Sequence, residues 1–314
     1  MKRTLALLAA LASAGAISAS AAYPERPVKL IVPWAAGGDT DVVYRAFQPV
    51  LQKHLGNTVV IANVGGASGT KGAKEAKDSA ADGYTILAIH DSIHSTYYTG
   101  VADVAWSDFQ PICLVASTPS ILTAAPKTPW KDAKAMLADA KARPGQVTVG
   151  ASLGSTSHFF PALIEKGGGV KFKYVAYDGT APRMNALLGS HIDMAESNLT
   201  QKGKADAGQM RFLAIATEKR NPAVPDVPTL KELGIDVTYA VNRGLVAPKA
   251  TPADVMAKLQ SACAEAAREP AFAEAMTKQG TLVNFLGPKE YTGFLKENDK
   301  INQDLAKDLG MLKR

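Results

Sequence analysis

Three loops in this 314-residue chain combine glycines, hydroxyls and helix starts in a pattern suited to holding an anion. The first is Pro33-Trp34-Ala35-Ala36-Gly37-Gly38-Asp39-Thr40-Asp41, which follows an apolar run and opens a helix-like segment. Gly37 and Gly38 permit a tight turn and a close backbone approach to a ligand. The free N–H groups of the helix start, at the positive end of its dipole, attract a carboxylate. Asp41 is placed to cap that helix, and Arg45 follows at ion-pair spacing, so both have a local structural role by default. The loop matches neither the G-x-x-x-x-G-K-[ST] phosphate pattern nor G-x-G-x-x-G.

The second loop, Gly65-Gly66-Ala67-Ser68-Gly69-Thr70, also links a strand to a helix. Such loops lie at the carboxyl ends of the strands of an open sheet, where ligands bind. The third runs from Gly150 through Ser152, Gly154, Ser155, Thr156 and Ser157 to His158. Its Gly150-Ala151-Ser152-Leu153-Gly154 core fits G-x-S-x-G, the nucleophile elbow of α/β-hydrolases. A hydrolase would then need an acid and a histidine further on, and only His158 and His191 follow Ser152. His158 comes too soon, His191 leaves little room for an acid such as Asp178, and no HGGG-type oxyanion loop is present. The better reading is a cluster of hydroxyl and N–H donors at another helix start. Further candidates end strands at the same side: His90 and Ser92 in His90-Asp91-Ser92-Ile93-His94, Tyr177 and Gly179 in Tyr177-Asp178-Gly179, and Asn198.

These loops need strands and helices to hold them. Apolar runs at Val28–Pro33, Thr58–Asn63 and Tyr84–Ile89 read as buried strands, separated by helix-like Asp41–His54 and Thr70–Ala80. The alternation resumes with a helix at Trp130–Ala142 and a strand at Gln146–Gly150. A helix at Ser157–Lys166 and a strand at Phe172–Ala176 follow, then a helix at Pro182–Leu188 and strands at Ile192–Ala195 and Arg211–Thr217. Prolines between Pro222 and Pro228 mark a loop. Pro252–Arg268, Pro270–Gln279 and Pro288–Leu309 read as closing helices. Two α/β units with parallel sheets follow from this order. Cys113–Ala125 and Gly244–Pro248 read as the connections between them. The expected division is 1–22 as leader, 23–122 with 245–314 as a discontinuous first lobe, and 123–244 as the second.

Composition agrees with a folded, exported chain: 46% of residues are hydrophobic and 20% charged. Lys2 and Arg3, the apolar run Leu5–Ala16 and the small residues Ala19-Ser20-Ala21 have the layout of a secretory signal peptide. The mature chain is expected to start near Ala22 or Tyr23, in the periplasm, with no further membrane span. Without Lys2 and Arg3 the balance is 33 basic to 29 acidic residues, a net +4. The basic residues are scattered, which argues against nucleic acid. Cys113 and Cys263 lie in apolar segments and are expected as buried thiols rather than a disulfide, and their spacing is not that of a metal site. No cofactor or metal is expected.

The whole mature chain resembles the periplasmic solute-binding proteins of tripartite tricarboxylate transporters, the Bug family. The resemblance runs through VKLIVPWAAGGDTD, NVGGASGTKGA, Ala81-Asp82-Gly83-Tyr84-Thr85-Ile86-Leu87, GASLGSTSH, Tyr177-Asp178-Gly179, LLGSHIDMAESN and Gly244–Pro252, in family order. It implies a type II periplasmic-binding fold, two Rossmann-like lobes closing on a small carboxylate. It also implies membrane permease subunits as partners, or a sensor kinase if the protein presents its ligand as a signal; a monomer is expected. The family's ligand-holding positions carry over to Ala36, Gly37, Gly38 and Asp41, and to Gly154, Ser155, Thr156 and His158. The chain departs from the family at Trp34, usually Phe; at Asp178, usually Lys or Arg; at Val64-Gly65, commonly Arg-Pro; and at His90 and His94. Trp34 with Tyr97 and Tyr98 would favour an aromatic acid by stacking. The competing readings are a secreted serine hydrolase using Ser152 and a sensing module.

Overall fold

The computed structural model describes residues 23–314, so the leader expected at 1–22 lies outside the described residues. The chain begins with β1 (Val28–Val32), α1 (Asp39–Leu55), β2 (Val59–Asn63), α2 (Thr70–Lys77), β3 (Thr85–His90), α3 (Ser92–Tyr98) and β4 (Phe109–Pro119). It continues with β5 (Ile121–Ala124), α4 (Ala133–Ala142), β6 (Thr148–Ala151), α5 (Thr156–Gly168), β7 (Lys173–Ala176), α6 (Thr180–Leu188), β8 (Met194–Ser197), α7 (Lys202–Asp206) and β9 (Arg211–Ile215). It ends with β10 (Ala240–Pro248), α8 (Ala253–Ala267), α9 (Pro270–Lys278), β11 (Leu282–Leu286) and α10 (Pro288–Asp308).

The strands form a six-stranded sheet, β11-β4-β10-β3-β1-β2, and a five-stranded sheet, β7-β6-β8-β5-β9. Each has a parallel part, β2-β1-β3 or β7-β6-β8, continued by antiparallel strands. β1 is apolar along its length because helices cover both faces of its sheet. Val28, Leu30 and Val32 pack with Val43, Phe47 and Leu51 of α1, while Ile31 faces Ala73 and Ala76 of α2. The second sheet repeats the plan: Val149 packs with Phe160 and Ile164 of α5, and Ala195 with Met184 and Leu187 of α6. Two sheets with separate cores make two lobes, the fold expected from the sequence.

The chain changes sheets at Ser120, between β4 and β5, and again between β9 and β10. Short hydrogen bonds tie the two crossings together: Ser120 N–H donates to Tyr239, Ala216 N–H to Ser120 and Tyr239 N–H to Ala216, at 2.9–3.0 Å. Gly244–Pro248, read from sequence as a connection, is the second half of β10, paired with both β3 and β4.

The expectation for the cysteines needs correction. Cys113 on β4 and Cys263 on α8 form a disulfide, with Cα atoms 6.6 Å apart. α8 lies directly on the sheet beside β4, so both sulfurs are buried in one core, within bridging range. The segment from Ser92 to Tyr98, to which the sequence reading assigns no element, forms α3. Its Ser, Thr and aromatic residues are weak helix formers, and the helix is held by tertiary contacts instead. His94 Nδ1 lies 3.0 Å from Asp299 of α10, and the Tyr98 hydroxyl donates to the same carboxylate at 2.9 Å. Among the described residues no helix is long and apolar enough to cross a membrane.

Candidate functional site

The starts of α1, α5 and α6 converge on one cleft between the sheets. It is lined by Gly38, Asp39 and Thr40 of the first, Ser155, Thr156 and Ser157 of the second, and Gly179 and Thr180 of the third. It encloses about 380 Å³ of empty space, counting its open mouth. The first N–H groups of a helix have no partner within it. Here such groups from both lobes face the same space, with their dipoles adding. Glycine suits position 179 because its φ of +101° is one that side chains rarely adopt.

Two arginines complete the wall. Arg183 of α6 is 2% exposed and pairs with buried Glu196 of β8 at 2.7 Å. Burial raises the Glu196 carboxyl above its ordinary value, and Arg183 pulls against that. Arg243 of β10 is also 2% exposed, but among the described residues it makes no ion pair. Its guanidinium donates to the hydroxyls of Thr40 at 3.2 Å and Thr118 at 2.7 Å. A register irregularity in the β10–β4 pairing falls between Arg243 and Gly244, the kind of bulge that re-aims a side chain beside a site. A buried guanidinium with neutral partners alone is costly, and a ligand carboxylate would relieve that cost. The sequence signal for Arg243 is a single charge inside the apolar run Ala240–Pro248, which the loop-centred reading passed over.

Of the residues proposed from sequence, Trp34, Gly38, His90, Ser155, Thr156 and Gly179 line this cleft. Ser68 and Ser92 line an adjoining chamber, which also touches His90. Gly37, Asp41, Gly154, His158, Tyr177 and Asn198 do not line the cleft but brace it, and Ala36 is exposed outside it. Asp41 accepts from Gly37 N–H, Arg45 Nε and Asn63 Nδ2, each at 2.8 Å. Although burial opposes it, these donors hold its carboxyl below the usual range. Gly154 N–H donates to His158 Nδ1 at 3.1 Å, and the ring of His158 packs edge-on to Tyr174. The hydroxyls of Ser155 and Ser157 turn toward each other and toward the backbone of Ser152. Among the three, Thr156 keeps its hydroxyl available.

Ser152 does not have the surroundings of a nucleophile. Its hydroxyl donates to the Tyr177 carbonyl at 2.8 Å and accepts from Gly179 N–H at 3.0 Å. It staples the turn before α6, and His158, the nearest histidine in sequence, is engaged elsewhere. Tyr97 and Tyr98 lie on the α10 side of α3 and do not build an aromatic wall. Trp34 instead stacks on His90, with ring centroids 5.0 Å apart. Ser92 N–H donates to His90 Nδ1, which leaves the proton on Nε2. Burial, and then the charges of Arg243 and Arg183, hold His90 well below the ordinary imidazole value.

The lobes touch through specific bonds. Asp39, 6% exposed, accepts from Asn198 Nδ2 at 2.6 Å and from the hydroxyls of Thr180 and Thr200. Ser68 donates its N–H to Asp178 at 2.9 Å and its hydroxyl to the Leu153 carbonyl. Ser68 does so with φ at +56°, a conformation that non-glycine residues hold only when their surroundings enforce it. Asp178, a departure from the family pattern, thus has a cross-lobe partner.

The model of the tripartite tricarboxylate transporter family receptor matches residues 43–311. The structure of the periplasmic binding protein BugD is 32% identical, covers 93% of this chain and 100% of its own, and superposes with a TM-score of 0.88. MatC from Rhodopseudomonas palustris, with bound malate, is 28% identical over 90% of this chain and 99% of its own, with a TM-score of 0.84. Another R. palustris protein, with adipate, is 28% identical over 92% and 98% of the two chains, with a TM-score of 0.86.

Proposed function

The chain belongs to the tripartite tricarboxylate transporter receptor family, and from that premise we propose that it is a periplasmic solute-binding protein. It captures a small carboxylate between its lobes and presents it to the membrane subunits of a tripartite tricarboxylate transporter. The observation that carries this reading is Arg243, a buried guanidinium that makes no ion pair among the described residues, facing a cleft ringed by helix starts. The carboxylate is held by Arg243, Thr40, Thr156 and the backbone N–H groups beginning α1, α5 and α6, with Trp34 and His90 as a wall. Lobe closure turns on Ser120 and the paired crossing through Ala216 and Tyr239, and the closed shape is what the membrane subunits recognise. The malate and adipate held by two similar proteins support a carboxylate. Turnover is not part of the reading, because the hydrogen of the Ser152 hydroxyl goes to a carbonyl and not to a base.

Thermal melting of the mature, ligand-free protein against a panel of carboxylates tests this. A ligand binding only the folded state, at a hundred times its Kd, adds about 2.7 kcal/mol of stability. Arg243→Met should weaken that ligand by about 2–5 kcal/mol, since a buried charge pair loses one member. A panel without any shift would count against carboxylate capture.

A further inference from the structure

The charges lining the cleft do not sum to a strongly positive site. Arg183 is matched by Glu196 at 2.7 Å. Arg243 is the one lining cation without an acidic partner among the described residues. Asp39 lines the same space with a buried carboxylate that is hydrogen-bonded but not ion-paired. His90 supplies no charge, because its Nδ1 accepts the Ser92 N–H. One cation is therefore available to a ligand, and a fixed anion stands nearby.

Beyond His90 the cleft adjoins a second chamber of about 310 Å³ of empty space, again counting its mouth. Its walls are mainly Pro33, Ala73, Ile89, Ile93, Ala102 and Val104. Of the hydroxyls that reach it, Ser68 donates to the Leu153 carbonyl and Thr96 to that of Ser92. The Thr70 hydroxyl is buried there without a partner. A carboxylate entering this chamber would find no cation among its lining residues. Burying an unpaired ion in that way costs several kcal/mol.

We infer that the ligand is an amphipathic monocarboxylate, its carboxylate against Arg243 and its uncharged apolar body extending past His90 into the chamber beside α3. This rests on the carboxylate-capture reading and narrows it. The body gains about 25 cal/mol for each Å² of apolar surface removed from water. A second carboxylate would lie either in the apolar chamber or beside Asp39.

Hexanoate and adipate provide the test, since they differ in one terminal carboxylate. Isothermal titration of the mature, disulfide-intact protein should show hexanoate binding at least about tenfold tighter than adipate, the equivalent of about 1.4 kcal/mol. Ala73→Leu, which fills the chamber, should remove that preference. Asp39→Asn, nearly the same shape, should narrow the gap by raising adipate affinity, and it keeps the test open if the filled chamber does not fold. Equal affinities, or tighter binding of adipate, overturn the inference while leaving carboxylate capture standing. An Asp39→Asn variant with an unchanged gap overturns the part given to Asp39. Failure of both acids, and of malate and citrate, overturns the inference and the proposed function together.

Discussion

Arg243 and Arg183 share a cleft and have different tasks. Arg183 neutralises Glu196, so Arg183→Met should cost about 3–5 kcal/mol by leaving a buried carboxylate uncompensated. Arg183→Met combined with Glu196→Met should recover most of that loss in denaturant titrations. His90 sets a pH dependence whose sign follows from its lowered value. Below about pH 6.5 the unfolded chain takes up a proton that folded His90 refuses. The stability it contributes is fully present above pH 6.5 and is lost as pH falls. The slope approaches about 1.4 kcal/mol per pH unit, and melting His90→Gln beside the native protein between pH 7.5 and 5 should show a flatter curve. The helix-start residues were legible in the sequence because glycine and hydroxyl clusters announce loops. The arginines were not, because they belong to a strand and a helix that only the topology brings to those loops.

The loop before α2 and the turn before α6 act as a clasp. Asp178→Ala removes the acceptor of the Ser68 N–H, a bond worth about 1.5–3 kcal/mol when one partner is charged. Ligand release measured by stopped flow should quicken by roughly tenfold or more. Most elements could be read directly, α1, β3, α5 and α8 among them, because apolar periodicity and proline or glycine punctuation agree there. α3 could not, since its contacts with Asp299 come from some 200 residues away. β11 escaped too: it is a partly exposed edge strand, without the continuous apolar run that marked β1. Cys113 and Cys263 could not be paired from composition, since only the packing of α8 on β4 brings them together.

The disulfide spans 150 residues and encloses the entire second sheet between its ends. Replacing both cysteines with alanine should lower stability by about 2–4 kcal/mol, with reductant doing the same to the native protein; paired melting curves would show it. The two sheets also differ in how they draw on the chain. The five-stranded sheet takes all its strands from one stretch, Ile121 to Ile215, whereas the six-stranded sheet needs β10 and β11, which lie from Ala240 onward. For a chain that emerges N-terminus first, the later-numbered lobe can therefore finish folding while the earlier one waits. Val28 to Pro119 must stay unpaired with β10 until that strand arrives. During this interval β3 and β4 offer open edges to any passing strand, and Cys113 meets its partner only after almost the whole polypeptide has emerged.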